Sequence, residues 1–195
     1  MRRQIRATGK LIGRFVDATG GVAIVEFALV VPLLLLLYAG SIEASSLYTV
    51  DRRVTVIAGT MGDLVARWDP GQGNIPQGTI DDYFTASEII MTPYDPAGLG
   101  QVVSLVSVDA DGDTAVLWSE ASGGATARAE GASFPLAAST QMNEVSRGTG
   151  CFVASETTYG YTPAIGVVFQ GVFALSHTSY FLPRFGSELC AIDVS

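Results

Sequence analysis

Glu26 is an acid inside an apolar segment, which makes it the first candidate for chemistry in this sequence. It is the one charged side chain in the run from Val22 to Ile42, VAIVEFALVVPLLLLLYAGSI. A carboxylate in lipid is costly unless it is paired or protonated. Cleavage after Gly21 would free an amine on Val22, which is largely protonated near neutral pH. If the chain is cut there, the candidate partners of Glu26 are the amine of its own chain and that of a neighbouring chain; hydration of Glu26 at the membrane surface is the simpler alternative.

The chain has two cysteines, Cys151 and Cys190. If both lie on the exported side of a membrane, the oxidising compartment favours a disulfide between them. Closing a loop of about 40 residues would contribute about 4 kcal/mol in the chain-entropy account of disulfides. Free thiols or a zinc site are the alternatives, but a zinc site would need a second pair of ligands at metal-binding spacing, which the sequence does not offer.

The acidic stretch Asp109-Ala110-Asp111-Gly112-Asp113 allows two interpretations. Its acids alternate as they do in a calcium loop, and Glu120 stands twelfth from Asp109, but the glycine is at position four instead of six. An Asp-Gly pair between two β-branched runs is a strong signal for a hairpin turn. We therefore expect a turn here, with calcium binding as the alternative.

The sequence offers few candidates for a catalytic centre. His177 is the single histidine, and its neighbours Ser176 and Thr178 lie in a strand pattern, where adjacent side chains point to opposite faces. The sequence has no Gly-x-Ser-x-Gly, His-Glu-x-x-His or phosphate-loop motif. We expect a protein that is not an enzyme, with no catalytic residue, cofactor or metal.

The element that must position Glu26 is a predicted transmembrane helix over Val22 to Ile42. About 20 charge-poor residues suffice to cross a bilayer. Residues 1–21 form a basic leader that should stay in the cytoplasm, so the C-terminal part is exported to the periplasm or the cell exterior. The alternative is a secretory signal ending at Ala39-Gly40-Ser41, whose removal would release a soluble protein that starts near Ile42.

The leader and the start of the apolar run resemble a known protein family. The basic leader, Gly20-Gly21, a short apolar stretch and Glu26 resemble the processing site of type IV prepilins. The sequence of residues 21–33, GVAIVEFALVVPL, is similar to that of TadE-like minor pseudopilins of the Tad (Flp) pilus system. Phe27 and the long downstream part distinguish it from major Flp pilins, which usually have tyrosine after the glutamate.

The resemblance implies several properties. A prepilin peptidase would cut after Gly21, and the mature chain would remain in the inner (cytoplasmic) membrane and assemble with other pilins, pseudopilins and inner-membrane pilus assembly proteins. Glu26 would register one helix against the next. Pro32 would mark a kink at which the helix melts locally on extraction from the membrane; a harmless bend is the alternative.

The apolar periodicity continues beyond the span at spacings of three and four residues, which predicts one helix from about Val22 to about Arg67. At 1.5 Å per residue this helix would be about 70 Å long. Residues 43–68 would be its exported half, with an apolar stripe for the exported domain. The residues of this stripe are Leu47, Val50, Val54, Ile57, Met61, Leu64 and Trp68.

Residues 69–195 are predicted to form one exported α+β domain with an antiparallel sheet packed on the exported half of the helix, which is a pilin-like architecture. The predicted elements are a helix over Ile80 to Ile90 capped by Thr79, a hairpin of Gln101 to Val108 with Thr114 to Trp118, a helix over Ala137 to Val145, and strands over Cys151 to Tyr161 and Ala174 to Phe185. Two segments, Tyr159 to Pro163 and Tyr180 to Arg184, loosely resemble C-terminal features of TadE-like proteins.

Charge narrows the choice of partners. After the leader, residues 22–195 carry six basic and eighteen acidic side chains, which argues against nucleic acid and anionic lipid as partners of the domain.

Two function classes remain. One is a minor pseudopilin that supports assembly of a Tad pilus, and the other is a single-pass, membrane-anchored binding domain that does not polymerise.

Overall fold

The computed structural model describes residues 19–135 and 150–195. Its regular elements are helices α1 (Thr19–Ala66) and α2 (Gln77–Met91) and strands β1 (Leu99–Val108), β2 (Thr114–Ser122), β3 (Cys151–Tyr161) and β4 (Phe173–Phe181). Three short 3-10 turns complete the set, at Pro70–Gln72, Pro96–Gly98 and Gly186–Ala191. A long apolar helix followed by a small sheet confirms the predicted α+β class. Most of the leader and the predicted helix over Ala137 to Val145 lie outside the described residues.

Helix α1 is long and apolar enough to cross a membrane. The apolar side chains of its N-terminal half are exposed; Ile24 is 71% and Leu29 is 74% accessible. A helix exposed in this way is unfavourable in water and suits a lipid or protein environment. Pro32 lies inside α1, which continues through it, so local melting at this residue stays a prediction.

The chain divides into two compact units. The described residues up to Ser45 group with Ala164–Gln170, while Ser46–Pro163 group with Gly171–Ser195. Helix α1 therefore contributes its N-terminal part to the first unit and its C-terminal part to the second.

In the second unit the four strands form one antiparallel sheet in the order β2-β1-β3-β4. β1 and β2 form the predicted hairpin, whose turn contains Asp109 and a glycine of positive φ, Gly112 at 91°. Both hairpin strands are longer than predicted. A β-bulge between Leu105 and Val106 interrupts their register.

The core of this unit lies between α1 and one face of the sheet. From α1, Val50, Val54, Ile57 and Met61 are fully buried, which confirms the centre of the predicted stripe. The stripe is wrong at Leu64, which is only partly buried; Val65 joins the core instead. Leu64 and Val65 lie on opposite sides of the centre of this stripe, so helical spacing alone does not decide which of the two is buried; packing against the rest of the unit does. Leu47 and Trp68 pack at the edges of this core.

Gly62 lets β4 approach α1 closely. A Cβ placed on Gly62 would lie 2.5 Å from Cδ2 of Phe181, the last residue of β4. Just beyond, the backbone N–H of Arg184 donates a hydrogen bond to the carbonyl oxygen of Ala66, at 2.9 Å. The carboxylate of Asp63 pairs with Arg67 and Arg184, and these hydrogen bonds hold its pKa below the usual range.

The end of β4, the start of α2 and the predicted cap of α2 require correction. β4 ends at Phe181, not Phe185, because Pro183 has no N–H to donate to a strand partner. α2 begins at Gln77 and not at Ile80, and Pro76 is its cap residue, without a side-chain hydrogen bond. Thr79 already lies within the first turn, where its N–H donates to the carbonyl oxygen of Pro76 at 2.8 Å, so its predicted role as the cap was wrong.

Candidate functional site

The predicted processing and assembly residues lie together at the start of α1. Gly21, Val22 and Glu26 are all exposed, and Val22 is 59% accessible. Residues four apart occupy the same face of a helix, so Val22 and Glu26 share one face of α1. The pairing of Glu26 with an amine at residue 22, on its own or a neighbouring chain, stays a prediction.

A second acid of α1, Glu43, is in a different environment, which the sequence reasoning missed. It is only 2% accessible, although it follows the apolar run directly. Its carboxylate accepts three consecutive backbone N–H groups from the loop Ala164–Gln170: those of Val167 at 2.8 Å, Val168 at 3.2 Å and Phe169 at 2.7 Å. We call this contact the Glu43 clasp. Glu43 and the loop Ala164–Gln170 belong to the same compact unit.

Hydrogen bonding sets the charge state of Glu43. The backbone N–H of Phe169 is the largest cause of a lowered Glu43 pKa; desolvation opposes it, and the N–H groups of Val167 and Val168 add to the lowering. A carboxylate with a lowered pKa in the folded state stabilises the structure above its unfolded pKa, and this stabilisation is lost as the pH falls through the folded pKa. The clasp is therefore formed by an ionised Glu43 at neutral pH and weakens in acid.

Gly40 lies one turn before Glu43 and allows the loop to contact the helix. A Cβ at Gly40 would lie 3.3 Å from Cγ2 of Val168, which is tighter than an ordinary van der Waals contact. A small residue at position 40 and an acid at position 43 therefore act together, since one admits the loop and the other binds its backbone. The only sequence signal for this contact is the acid at the end of the apolar run.

The two cysteines form the predicted disulfide. Cys151 begins β3 and Cys190 lies in the 3-10 turn Gly186–Ala191, with Cα atoms 5.7 Å apart and a sequence separation of 39. Next to it, the indole N–H of Trp118 donates to the carbonyl oxygen of Ile192 at 3.0 Å. The bond therefore fixes the C-terminal segment to the sheet.

The other candidate residues, His177 and the acids of the hairpin turn, make contacts that stabilise the fold. Nε2 of His177 on β4 lies 2.7 Å from Oδ1 of Asp51 on α1, and both side chains are partly exposed. Oδ1 of Asp109 accepts the N–H groups of Asp111 and Asp113, at 3.0 Å and 2.8 Å, as expected for a turn. Across residues 19–135 and 150–195, no group of three His, Cys, Asp or Glu side chains is arranged to hold a metal ion.

Comparison with known proteins agrees with the interpretation of the N-terminal region. The family model described as TadE-like protein matches residues 21–58. This confirms the resemblance over the segment that contains Gly21, Val22, Glu26 and Pro32, and the matched range also contains Glu43. The two C-terminal segments that loosely resemble TadE-like proteins lie outside it. No curated protein matches the chain, and no solved structure matches it.

Proposed function

We propose that this TadE-like chain is a minor pseudopilin, a structural and assembly component of a Tad (Flp) pilus. The observation that carries the proposal is the family match over residues 21–58, on a helix whose apolar side chains the described chain leaves exposed. The matched family consists of structural pilus components, and it supports a role in the pilus and not in catalysis.

The proposed maturation step takes place at the exposed start of α1. A prepilin peptidase cuts the peptide bond between Gly21 and Val22, which removes the basic leader and frees an amine on Val22. The chain remains anchored by the span over Val22 to Ile42, with its N-terminus at the cytoplasmic side of the inner membrane and residues 69–195 exported. The proposed partners are therefore membrane lipid, the peptidase, the other pilins and pseudopilins, and the inner-membrane pilus assembly proteins.

Assembly then uses the first half of α1 as a docking surface. Helix packing in a membrane depends on van der Waals contact and on polar pairs between helices. The exposed apolar side chains provide the contact, and Glu26 provides the polar pair when it meets the amine of Val22 on a neighbouring subunit. A buried carboxylate that is satisfied only by a correctly placed neighbour fixes the register between helices.

Loss of the chain tests the proposal against an anchored binding domain that does not polymerise. In-frame deletion in piliated cells is expected to abolish surface pili, as counted by electron microscopy, and the wild-type chain supplied in trans is expected to restore them. Abundance of the major pilin in the membrane serves as the control, because it should not change. Normal pili in the deletion strain would contradict a role in assembly and favour the binding domain.

A further inference from the structure

The loop Ala164–Gln170 presents apolar side chains that the described chain does not cover. Its sequence, AIGVVFQ, contains no charged residue. Ile165, Val167 and Val168 are 49%, 56% and 38% accessible. Three neighbouring apolar side chains exposed on an irregular loop are unfavourable in water and indicate a contact surface.

The position of this loop along α1 identifies the surroundings that such a surface would meet. The loop contacts the helix at Gly40 and Glu43, where the apolar run from Val22 to Ile42 ends. Tyr38 lies one helical turn before Ile42, the end of the run, and is 67% accessible. Exposed tyrosines are enriched at the boundary between hydrocarbon and water. The exposed apolar side chains of the loop therefore belong to a segment that contacts the end of the apolar run.

The Glu43 clasp provides hydrogen-bond acceptors for loop backbone N–H groups, which a loop at the edge of a bilayer requires. Backbone N–H groups in irregular structure cannot enter the hydrocarbon boundary unless the protein satisfies them, because water is scarce there. The ionised carboxylate of Glu43 accepts three such groups in a row, and the loop covers the carboxylate in return. The hydrogen bonds between them offset part of the cost of burying the carboxylate and the N–H groups.

We propose that the loop Ala164–Gln170 is a membrane-interface anchor that inserts Ile165, Val167 and Val168 into the hydrocarbon edge of the exported leaflet, held in place by Glu43. This inference depends on the proposed membrane anchoring of the chain. The bound chemistry is the lipid acyl chain and not an anionic headgroup, since the loop carries no basic side chain. The anchor would fix the loop at a defined depth beside the span.

Fluorescence quenching in vesicles tests the anchor with the full chain. A Val167→Trp variant is reconstituted into phosphatidylcholine vesicles whose acyl chains carry bromine near the headgroup, and the signal of native Trp68 and Trp118 is measured in the parent protein and subtracted. We expect the introduced indole to emit at shorter wavelength and to lose most of its fluorescence to the brominated lipid. Ile89→Trp, at a position that is 71% accessible on α2, gives the quenching level at an exposed site outside the loop.

Two further changes in the Val167→Trp background test the clasp. Glu43→Gln removes the charge that binds the loop, and Gly40→Leu keeps the charge but pushes Val168 away from the helix. Both are expected to reduce quenching at position 167, while Glu88→Gln, at an exposed acid of α2, leaves it unchanged. Resistance of the disulfide-linked unit to protease confirms that each variant is folded.

The outcomes separate this inference from the proposed function. A chain that is not retained in the vesicles after carbonate washing overturns the membrane anchoring and the loop anchor together. A chain that inserts but shows no more quenching at position 167 than at position 89 overturns the loop anchor alone. Blue-shifted emission that depends on protein concentration and not on bromine would assign the loop surface to a second copy of this chain, and would also overturn the lipid contact.

Discussion

Glu26→Ala is expected to abolish pilus assembly while the chain still inserts into the membrane. The variant removes the only carboxylate in the apolar run and, in the proposed assembly, leaves the amine of Val22 without its partner at the contact between helices. Removing one member of a buried ion pair costs about 3 to 5 kcal/mol, and this cost would recur at each such contact. Surface pili counted by electron microscopy, with the membrane-bound chain quantified in parallel, measure the effect.

Two further variants show whether the charge is responsible. Glu26→Gln keeps the size of the side chain and is expected to fail as Glu26→Ala does, because an amide cannot neutralise the amine. Leu29→Ala shortens an apolar side chain that is 74% accessible on the same helix and is expected to retain pili. Normal piliation with Glu26→Ala would favour the non-polymerising binding domain instead.

Removing the disulfide is expected to give the largest loss of stability. Replacing both Cys151 and Cys190 with serine releases a loop whose ends are 39 residues apart, and the chain-entropy account of such a loop gives a loss of about 4 kcal/mol in the free energy of unfolding. Pulse proteolysis across a urea series, on the full chain in detergent micelles, measures this free energy. The 3-10 turn around Cys190 should become the first site of cleavage.

The reduced wild-type chain provides a matched control for the double serine variant. Both lack the cross-link, so both should unfold at the same urea concentration, and the oxidised wild-type chain should unfold at a higher one. A difference of less than about 1 kcal/mol between oxidised and reduced protein would show that packing of the C-terminal segment, and not the cross-link, holds it to the sheet.

Local patterns were sufficient to predict most of the fold. The spacing of Val50, Val54, Ile57 and Met61 predicted which face of α1 is buried, since it follows the period of a helix. The Asp-Gly pair predicted the hairpin turn, and the β-branched residues around it predicted β1 and β2. The errors lie at the ends of elements, such as the end of β4, where Pro183 has no N–H to donate to a strand partner, and at single residues such as Thr79 and Leu64.

The Glu43 clasp could not be predicted in this way. Its carboxylate meets an N–H group 124 residues further along the chain, and no periodicity relates two such positions. An acid next to an apolar run suggests only hydration at a membrane surface. The contact depends on the fold of the loop Ala164–Gln170 against α1, which local sequence does not determine. The role of Glu26, in contrast, was inferred from spacing alone and stays a prediction.

The mass of the mature chain tests the central claim most directly. The chain is purified from the membranes of piliated cells, and intact-mass spectrometry with N-terminal peptide mapping identifies its first residue. The account predicts a chain that begins at Val22, with the basic leader removed and the span retained. A chain that still carries the leader in cells with working pili, or one that begins near Ile42 without the span, would contradict it.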